Sequence, residues 1–447
     1  MRPLTLEQIA EFTKGQAVGA GVANNVIIDS RLAKEKSLFI ALPGENADGH
    51  DYVPEVLAAG GFAIVKKGSH PGPGVVYVDD PLQALQDLAR TYLKKYPVTV
   101  VAITGSNGKT STKDMVIQVL RTKYSVHGTE NNFNNEIGVP LTVLGLNEEH
   151  QILVAEMGMR GLGQIKQLTE ICPPDYGVIT NIGPVHLELL GSMGNVAQAK
   201  GELLAAMDTE GIAILNGDDP SVRGQARSFK GKLFYYGLDV ANDLVARGIL
   251  PSLEGHPSFS VELEGEEEIQ VQLEIPGIHN VWNACAALAV GLHFDIPLID
   301  GAKSLEKISL SSMRLEVQRN SDGVIIIDDS YNASPNSTKA ALDTITHMYC
   351  SGRRVIILGD MLELGDIAEE AHREIGECAG ESSDDLIFIG EYANLMREGA
   401  GKGEIFSSVD EFLQAKYEFS EGDLVLVKAS RGLHFERIVE HLMKGEE

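Results

Sequence analysis

Short apolar runs at 26–28, 38–42, 62–65 and 75–78 alternate with Gly, Pro and Asp turns, which predicts a small α/β unit over roughly the first 96 residues. Thr5 and Gln8 have the spacing of a capping box and predict a short helix at the start, not a signal peptide. After the polar break at 94–97 comes a β-branched run, 98–104, that reads as a buried parallel strand feeding a glycine turn and a helix over 109–124. Further strands are expected at 152–155, 177–180 and 212–215, with helix-length segments between them, the rhythm of a parallel sheet with crossover helices. From 232 to 275 the pattern becomes shorter and more polar, and the glutamates of 264–268 read as a solvated hairpin edge. A helix over 280–293 follows. A third series then sets strands at 324–327, 355–358, 386–389 and 424–427 against helices near 337–346, 367–379, 409–416 and 435–443. The expectation is an α/β chain of three domains, 1–96, 97–311 and 312–447, with no internal repeat.

A length of 447 residues at 43% hydrophobic and 23% charged composition suits several buried cores. A formal net charge of -27 disfavours nonspecific binding to nucleic acid or an anionic membrane, which needs a Lys/Arg excess. An anionic substrate must instead meet locally placed cations and backbone N–H groups. The four cysteines, Cys172, Cys285, Cys350 and Cys378, are far apart and form no CxxC pair, so neither a zinc site nor a disulfide framework is indicated. No apolar run is long enough to span a bilayer. A cytoplasmic monomer is expected.

The strongest chemical signal is TGSNGKT at 104–110, between the expected strand and helix. Gly105 and Gly108 allow tight curvature, so that the N–H groups of Ser106, Asn107 and Ser111 and the helix start can face phosphate oxygens. Lys109 adds a mobile positive charge, and the Thr110 hydroxyl is suited to Mg²⁺. The loop is shorter than the general form, with Ile103 where the longer motif has its first glycine. ATP is the expected ligand.

The loop is followed in order by ENNFNNEIGVP (130–140), AEMG (155–158), NIGPVHLE (181–188), QAKGE (198–202), NGDDP (216–220), GIHNVWN (277–283) and DDSYNASP (328–335). This succession resembles the Mur ligases from Asp29 to the C-terminal helix. The resemblance implies an N-terminal UDP-binding α/β domain, a central P-loop ATPase-like parallel-sheet domain and a C-terminal Rossmann-like domain. It also implies an acyl-phosphate route to an amide. Thr110 and Glu156 would ligate one Mg²⁺, and His186 with a carbamoylated Lys200 a second. Asn280 and Asn283 would read the adenine, though Asn280 also suits a helix N-cap. Arg314 would reach the γ-phosphate and Asp329 the ribose. In DSR (29–31), Ser30 and Arg31 would hold the uridine diphosphate. NNEIG (134–138) and DSYNASP (329–335) resemble the branch that joins D-alanyl-D-alanine to UDP-N-acetylmuramoyl-tripeptide in peptidoglycan synthesis, with Asn135, Tyr331, Asn332 and Asn336 as substrate candidates. Ser334 departs from the pattern, in which Asn is frequent. An amide ligase for a single amino acid and a noncatalytic ATP-binding regulator remain as alternatives at this point. The intact Lys109, Glu156 and His186 weigh against the regulator.

Overall fold

The computed structural model describes every residue except 45, 46, 71, 131, 384 and 445–447, so Asn131 of the 130–140 motif lies outside the described residues. The chain is an α/β protein of three domains, and its sheets are built in chain order. The first domain carries a five-stranded sheet in the order Gln16–Val18, Val75–Val78, Phe62–Lys66, Ser37–Ile40, Asn25–Ile27. All its pairings are parallel except that of the edge strand Gln16–Val18. Ser37–Ile40 is buried at every position, as a strand covered on both faces must be. The capping box is present: Gln8 N donates to Thr5 Oγ1 at 3.2 Å, and Thr5 N donates to Gln8 Oε1 at 2.9 Å. The polar stretch read as a break is the end of a helix, Pro81–Lys95, which Asp80 caps.

The middle sheet has nine strands in the order Ile269–Gln272, Pro257–Leu263, Leu244–Pro251, Lys232–Gly237, Ile212–Asn216, Tyr176–Ile179, Thr99–Thr104, Ile152–Glu156, Val126–Gly128. It is parallel from Leu244–Pro251 to Val126–Gly128, and the remaining two strands add on antiparallel. The five residues 264–268 lie exposed in the turn of that last hairpin, as their charge predicted. Thr99–Thr104 sits between two strands that come later in the chain, one on each side. The chain thus leaves this strand's carboxyl end toward both sides, and a ligand crevice opens where the connections diverge. The helices Lys109–Leu120 and Asn280–His293 pack over one face, where an almost wholly buried Ala-rich surface lets them approach closely.

The third sheet runs Glu316–Arg319, Ile325–Asp328, Leu424–Lys428, Arg354–Gly359, Asp385–Ile389, Glu404–Phe406, with an antiparallel first strand and parallel pairings after it. Three elements here were not expected from the sequence pattern: the edge strands Glu316–Arg319 and Glu404–Phe406 and the helix Ala393–Ala400. The edge strands are short and half exposed, so they lack the apolar run that marks the inner strands. No helix among the described residues is long and apolar enough to cross a membrane. All four cysteines are free.

Candidate active site

A cavity of about 750 Å³ lies at the carboxyl end of the middle sheet and is closed on its far side by the C-terminal domain. The glycine loop 104–110 forms its floor. Gly105 (φ 152°) faces Thr180 so closely that a Cβ would stand 1.8 Å from Thr180 Oγ1, and at Gly108 (φ 77°) a Cβ would meet Asn283 Oδ1 at 2.7 Å. Only glycine fits at either place. The next strand end clamps the loop: Ser106 N donates to Asn181 O at 2.9 Å, Asn107 N to Asn181 Oδ1 at 2.9 Å, and Thr180 Oγ1 to Asn107 O at 2.6 Å. Lys109, expected as a mobile charge, is half buried, and its Nζ folds back to donate to Gly105 O at 2.8 Å and Ser106 O at 3.2 Å. Burial lowers its pKa, opposed by Glu156 and reinforced by Arg314.

Beside the loop Thr110 Oγ1 donates to Glu156 Oε2 at 2.8 Å, and Asn134 Nδ2 donates to the other carboxylate oxygen at 2.8 Å. Glu156 is the last residue of its strand and is almost fully buried. His186 occupies a left-handed backbone position (φ 54°) after the Tyr176–Ile179 strand, and its Nδ1 hydrogen-bonds Glu363 of the C-terminal domain. Burial lowers the His186 pKa, while Glu363 raises it. Lys200, on the helix Met193–Ala205, is only 2% exposed, unlike the surface lysine its residue type would suggest. Burial first, and then the charge of Lys109, push its pKa well below the usual lysine range. No described carboxylate pairs with it.

Asn280 and Asn283 are buried in the cavity wall. Asn283 Nδ2 donates to Asn280 Oδ1 at 2.9 Å, and Asn283 Oδ1 accepts from Thr112 at 3.1 Å. Asn280 is not the helix cap: His279 occupies that position, and Asn280 Nδ2 donates to Pro276 O at 2.8 Å. From the third domain, the Arg314 guanidinium lies 4.1 Å over the Tyr331 ring, a cation–π contact that holds it at the cavity. Asp329 receives Lys428 Nζ at 2.5 Å, and the same amine donates to Asn332 O at 2.9 Å. Ser334 caps the helix Pro335–His347 and donates to Asn107 Oδ1 at 2.9 Å, which ties the third domain to the phosphate loop. Asn336 Nδ2 would stand 2.8 Å from a Cβ at Gly183. Asn135 reaches the cavity rim, but its Oδ1 accepts from Ile137 N and Gly138 N and so holds the turn.

Ser30 and Arg31 are not among the residues lining this cavity. They form a short turn after the strand Asn25–Ile27, where Asp29 Oδ2 accepts from Arg31 Nη2 at 2.6 Å. The hydrogen bonds from Arg31 hold the Asp29 carboxyl below its usual range. Nearby His50 Nδ1 pairs with Asp48 at 2.7 Å, and its Nε2 accepts from Lys66 N at 3.0 Å.

Two family models match the chain, the Mur ligase middle domain over residues 103–291 and the Mur ligase glutamate ligase domain over 313–431. A protein of Bacillus subtilis (strain 168) named UDP-N-acetylmuramoyl-tripeptide--D-alanyl-D-alanine ligase is 41% identical, covering 99% of this chain and 98% of its own. The chain belongs to the Mur ligase family. A crystal structure of MurF from Acinetobacter baumannii superposes with a TM-score of 0.90 at 30% identity and covers 99% of both chains. The MurF ligase of Thermotoga maritima in complex with ADP gives 0.82 at 28% identity, over 94% of this chain and 97% of that one. As a Mur ligase, the chain carries its loop, Glu156, His186, Lys200, Asn280 and Asn283 within the middle-domain match, and Arg314, Asp329, Tyr331, Asn332 and Asn336 within the other.

The structure also adds cavity residues that were not singled out from the sequence. Lys428 announces itself only as a lysine ending an apolar strand, LVLVK, where it is 2% exposed. Asn134, next to the chosen Asn135, is the one that touches Glu156. His279 lines the cavity with Nδ1 buried and unpartnered among the described residues.

Proposed function

We propose that this Mur ligase joins D-alanyl-D-alanine to UDP-N-acetylmuramoyl-tripeptide with hydrolysis of ATP, in the synthesis of peptidoglycan precursors. The observation that carries this is the end-to-end likeness to the Bacillus subtilis ligase of that name, which includes the first domain as well as the two catalytic ones. The muramoyl-peptide carboxylate attacks the γ-phosphorus, a P–O bond forms to give the acyl phosphate, and ADP leaves. The dipeptide amine then attacks the acyl carbon, the N–C bond forms, and phosphate and a proton depart.

In this reading the N–H groups at the start of the helix Lys109–Leu120 and the Lys109 side chain cradle the polyphosphate, because the expected Ser106 and Asn107 N–H groups are taken by Asn181, and Arg314 stabilises charge on the transferred phosphoryl group. Asn280 and Asn283 wall the adenine side, and Asp329, braced by Lys428, takes the ribose. Tyr331, Asn332 and Asn336, from the opposite domain, and Asn135 at the rim border the dipeptide. Closing the C-terminal domain over the loop excludes water from a hydrolysable intermediate.

The buried Thr110–Glu156 pair supplies two hard oxygen donors side by side, which fits Mg²⁺. Bound there, Mg²⁺ neutralises charge on the phosphoryl group. For a second ion His186 and Lys200 fit once the buried Lys200 amine has attacked CO₂, formed an N–C bond and lost a proton, becoming an anionic carbamate.

Ser30 and Arg31 are proposed for the uridine diphosphate, on a separate domain spanning 1–96. The remaining divisions, 97–311 and 312–447, follow the middle and third sheets. Free thiols and dependence on ATP support a cytoplasmic location. The test is phosphate release with UDP-N-acetylmuramoyl-tripeptide and a panel of amines. Release that depends on D-alanyl-D-alanine is expected, and release only with a single amino acid overturns the acceptor assignment.

A further inference from the structure

The loop that leaves the strand Arg354–Gly359 crosses from the third domain to His186, and it is made rigid before it arrives. Asp360 accepts from the backbone N–H of Glu391 at 2.8 Å and of Tyr392 at 3.0 Å. Met361 N donates to His372 Nε2 at 2.8 Å, and Leu362 N donates to Ser430 Oγ at 2.9 Å. His372 in turn stacks on Tyr392 with ring centroids 4.3 Å apart. The tip is then set against the middle domain. Glu188 N donates to Glu363 O at 3.3 Å, and a Cβ on Gly365 would stand 3.1 Å from Glu188 Cα, so the two backbones touch.

At that tip Glu363 takes φ 62°, a left-handed conformation that glycine adopts freely and a glutamate adopts only at a steric cost. The cost brings one side chain to one place: a Glu363 carboxylate oxygen lies on His186 Nδ1. Its other oxygen is 3.8 Å from Arg160 Nε, a loose contact with a mostly exposed guanidinium. His186 also sits at positive φ. Two strained non-glycine residues from two domains therefore meet head-on, and strain of this kind persists where the surrounding structure has a use for it. A neutral imidazole that donates from one nitrogen presents a lone pair on the other, and a carboxylate behind a histidine fixes both the tautomer and the ring's rotation.

Resting on the reading of His186 as a site residue, we propose that Glu363 is a positioning residue for it. Seated with the third domain, Glu363 accepts a hydrogen bond from His186 Nδ1–H and turns Nε2 toward the cavity, so that this side chain is set only when the two domains are docked. Glu363 touches no reacting atom.

The experiment uses the full chain and the variants Glu363→Gly and Glu363→Gln, with His186→Asn to assign the imidazole signals. Three quantities are read: acceptor-dependent phosphate release, thermal unfolding, and the ¹⁵N shifts of His186 in the ligand-free protein. Glu363→Gly relieves the backbone, so its unfolding temperature is expected to hold or rise. Its kcat is expected to fall about 10- to 100-fold, the usual loss when a histidine's outer partner is removed, with KM for ATP within about twofold. The Nδ1–H tautomer signature of His186 should disappear in the same variant. Glu363→Gln keeps an oxygen acceptor and should restore most of both signals. Glu363→Gly with kcat within about threefold of the parent, or with the His186 tautomer unchanged, overturns the proposal. Loss of activity with a lowered unfolding temperature and no rescue by Gln overturns it as well, because that is the result of loop damage alone. A parent protein that shows the His186 tautomer and no acceptor-dependent turnover would overturn the ligase reading instead.

Discussion

Lys109 and Lys200 are two cavity amines held against their charge by burial, and they part company in what they are for. Lys109 bonds only loop carbonyls. Replacing it with Ala removes a half-buried amine with no ion-pair partner among the described residues, so the fold should survive while kcat falls by about 10²–10³, the usual loss for one charge-stabilising donor. Phosphate release and thermal unfolding measured on the same sample separate the two. Lys200 has no acidic partner among the described residues, and its burial favours the uncharged amine that reacts with CO₂. Lys200→Ala should lose most activity, short-chain carboxylates should restore part of it, and Lys200→Arg should stay inactive. Full activity in Lys200→Arg would eliminate a carbamate, because a guanidinium cannot replace an anionic ligand. The burial of Lys200 could not be read from the sequence, since nothing in QAKGE says which face of the helix turns inward. The same holds for Asn134 against Asn135, where adjacent identical residues differ only in direction.

Among the elements, most inner parallel strands were legible to within about two residues, because burial on both faces leaves an unbroken apolar run, whereas Lys232–Gly237, partly exposed over most of its length, was not separated from the β-like stretch 232–275. Edge strands carry no such mark. One joint in the third sheet has a measurable electrostatic signature. Asp423, 2% exposed, precedes the strand Leu424–Lys428 and accepts from Arg353 N at 2.8 Å, Arg353 Nη2 at 2.6 Å and Ser420 N at 3.0 Å. Burial alone would raise its pKa, but the hydrogen bonds from Arg353 and the backbone outweigh it and hold the net value below the usual range. A carboxyl with a depressed folded pKa stabilises the fold above its unfolded value, near 3.9, and loses that contribution as pH falls through the folded value. Asp423→Asn should therefore destabilise the protein by about 2 kcal/mol at pH 7, and the difference from the parent should shrink below about pH 4, as followed by urea unfolding across pH. A constant difference down to pH 2 would contradict the assignment.

For the whole molecule, the separation of the partly exposed 29–31 turn from the cavity predicts a split in kinetics. Asp29→Ala and Ser30→Ala should raise KM for the UDP substrate several-fold and leave KM for ATP nearly unchanged; equal effects on both nucleotides would remove the uridine role. The domain arrangement and the order of motifs were legible from sequence. The pairings across the cleft, such as Ser334 with Asn107, were not, because they join residues more than two hundred positions apart. The same long reach governs how the protein is made. Among the described residues Thr99–Thr104, the strand beneath the 104–110 loop, pairs with Ile152–Glu156 and Tyr176–Ile179 alone. A ribosome delivers it dozens of residues before either partner, so an apolar, β-branched segment waits unpaired in the nascent chain. Folding of the middle domain is thus slow to start and open to aggregation until residue 179 has emerged, and chaperones have most to do during that interval.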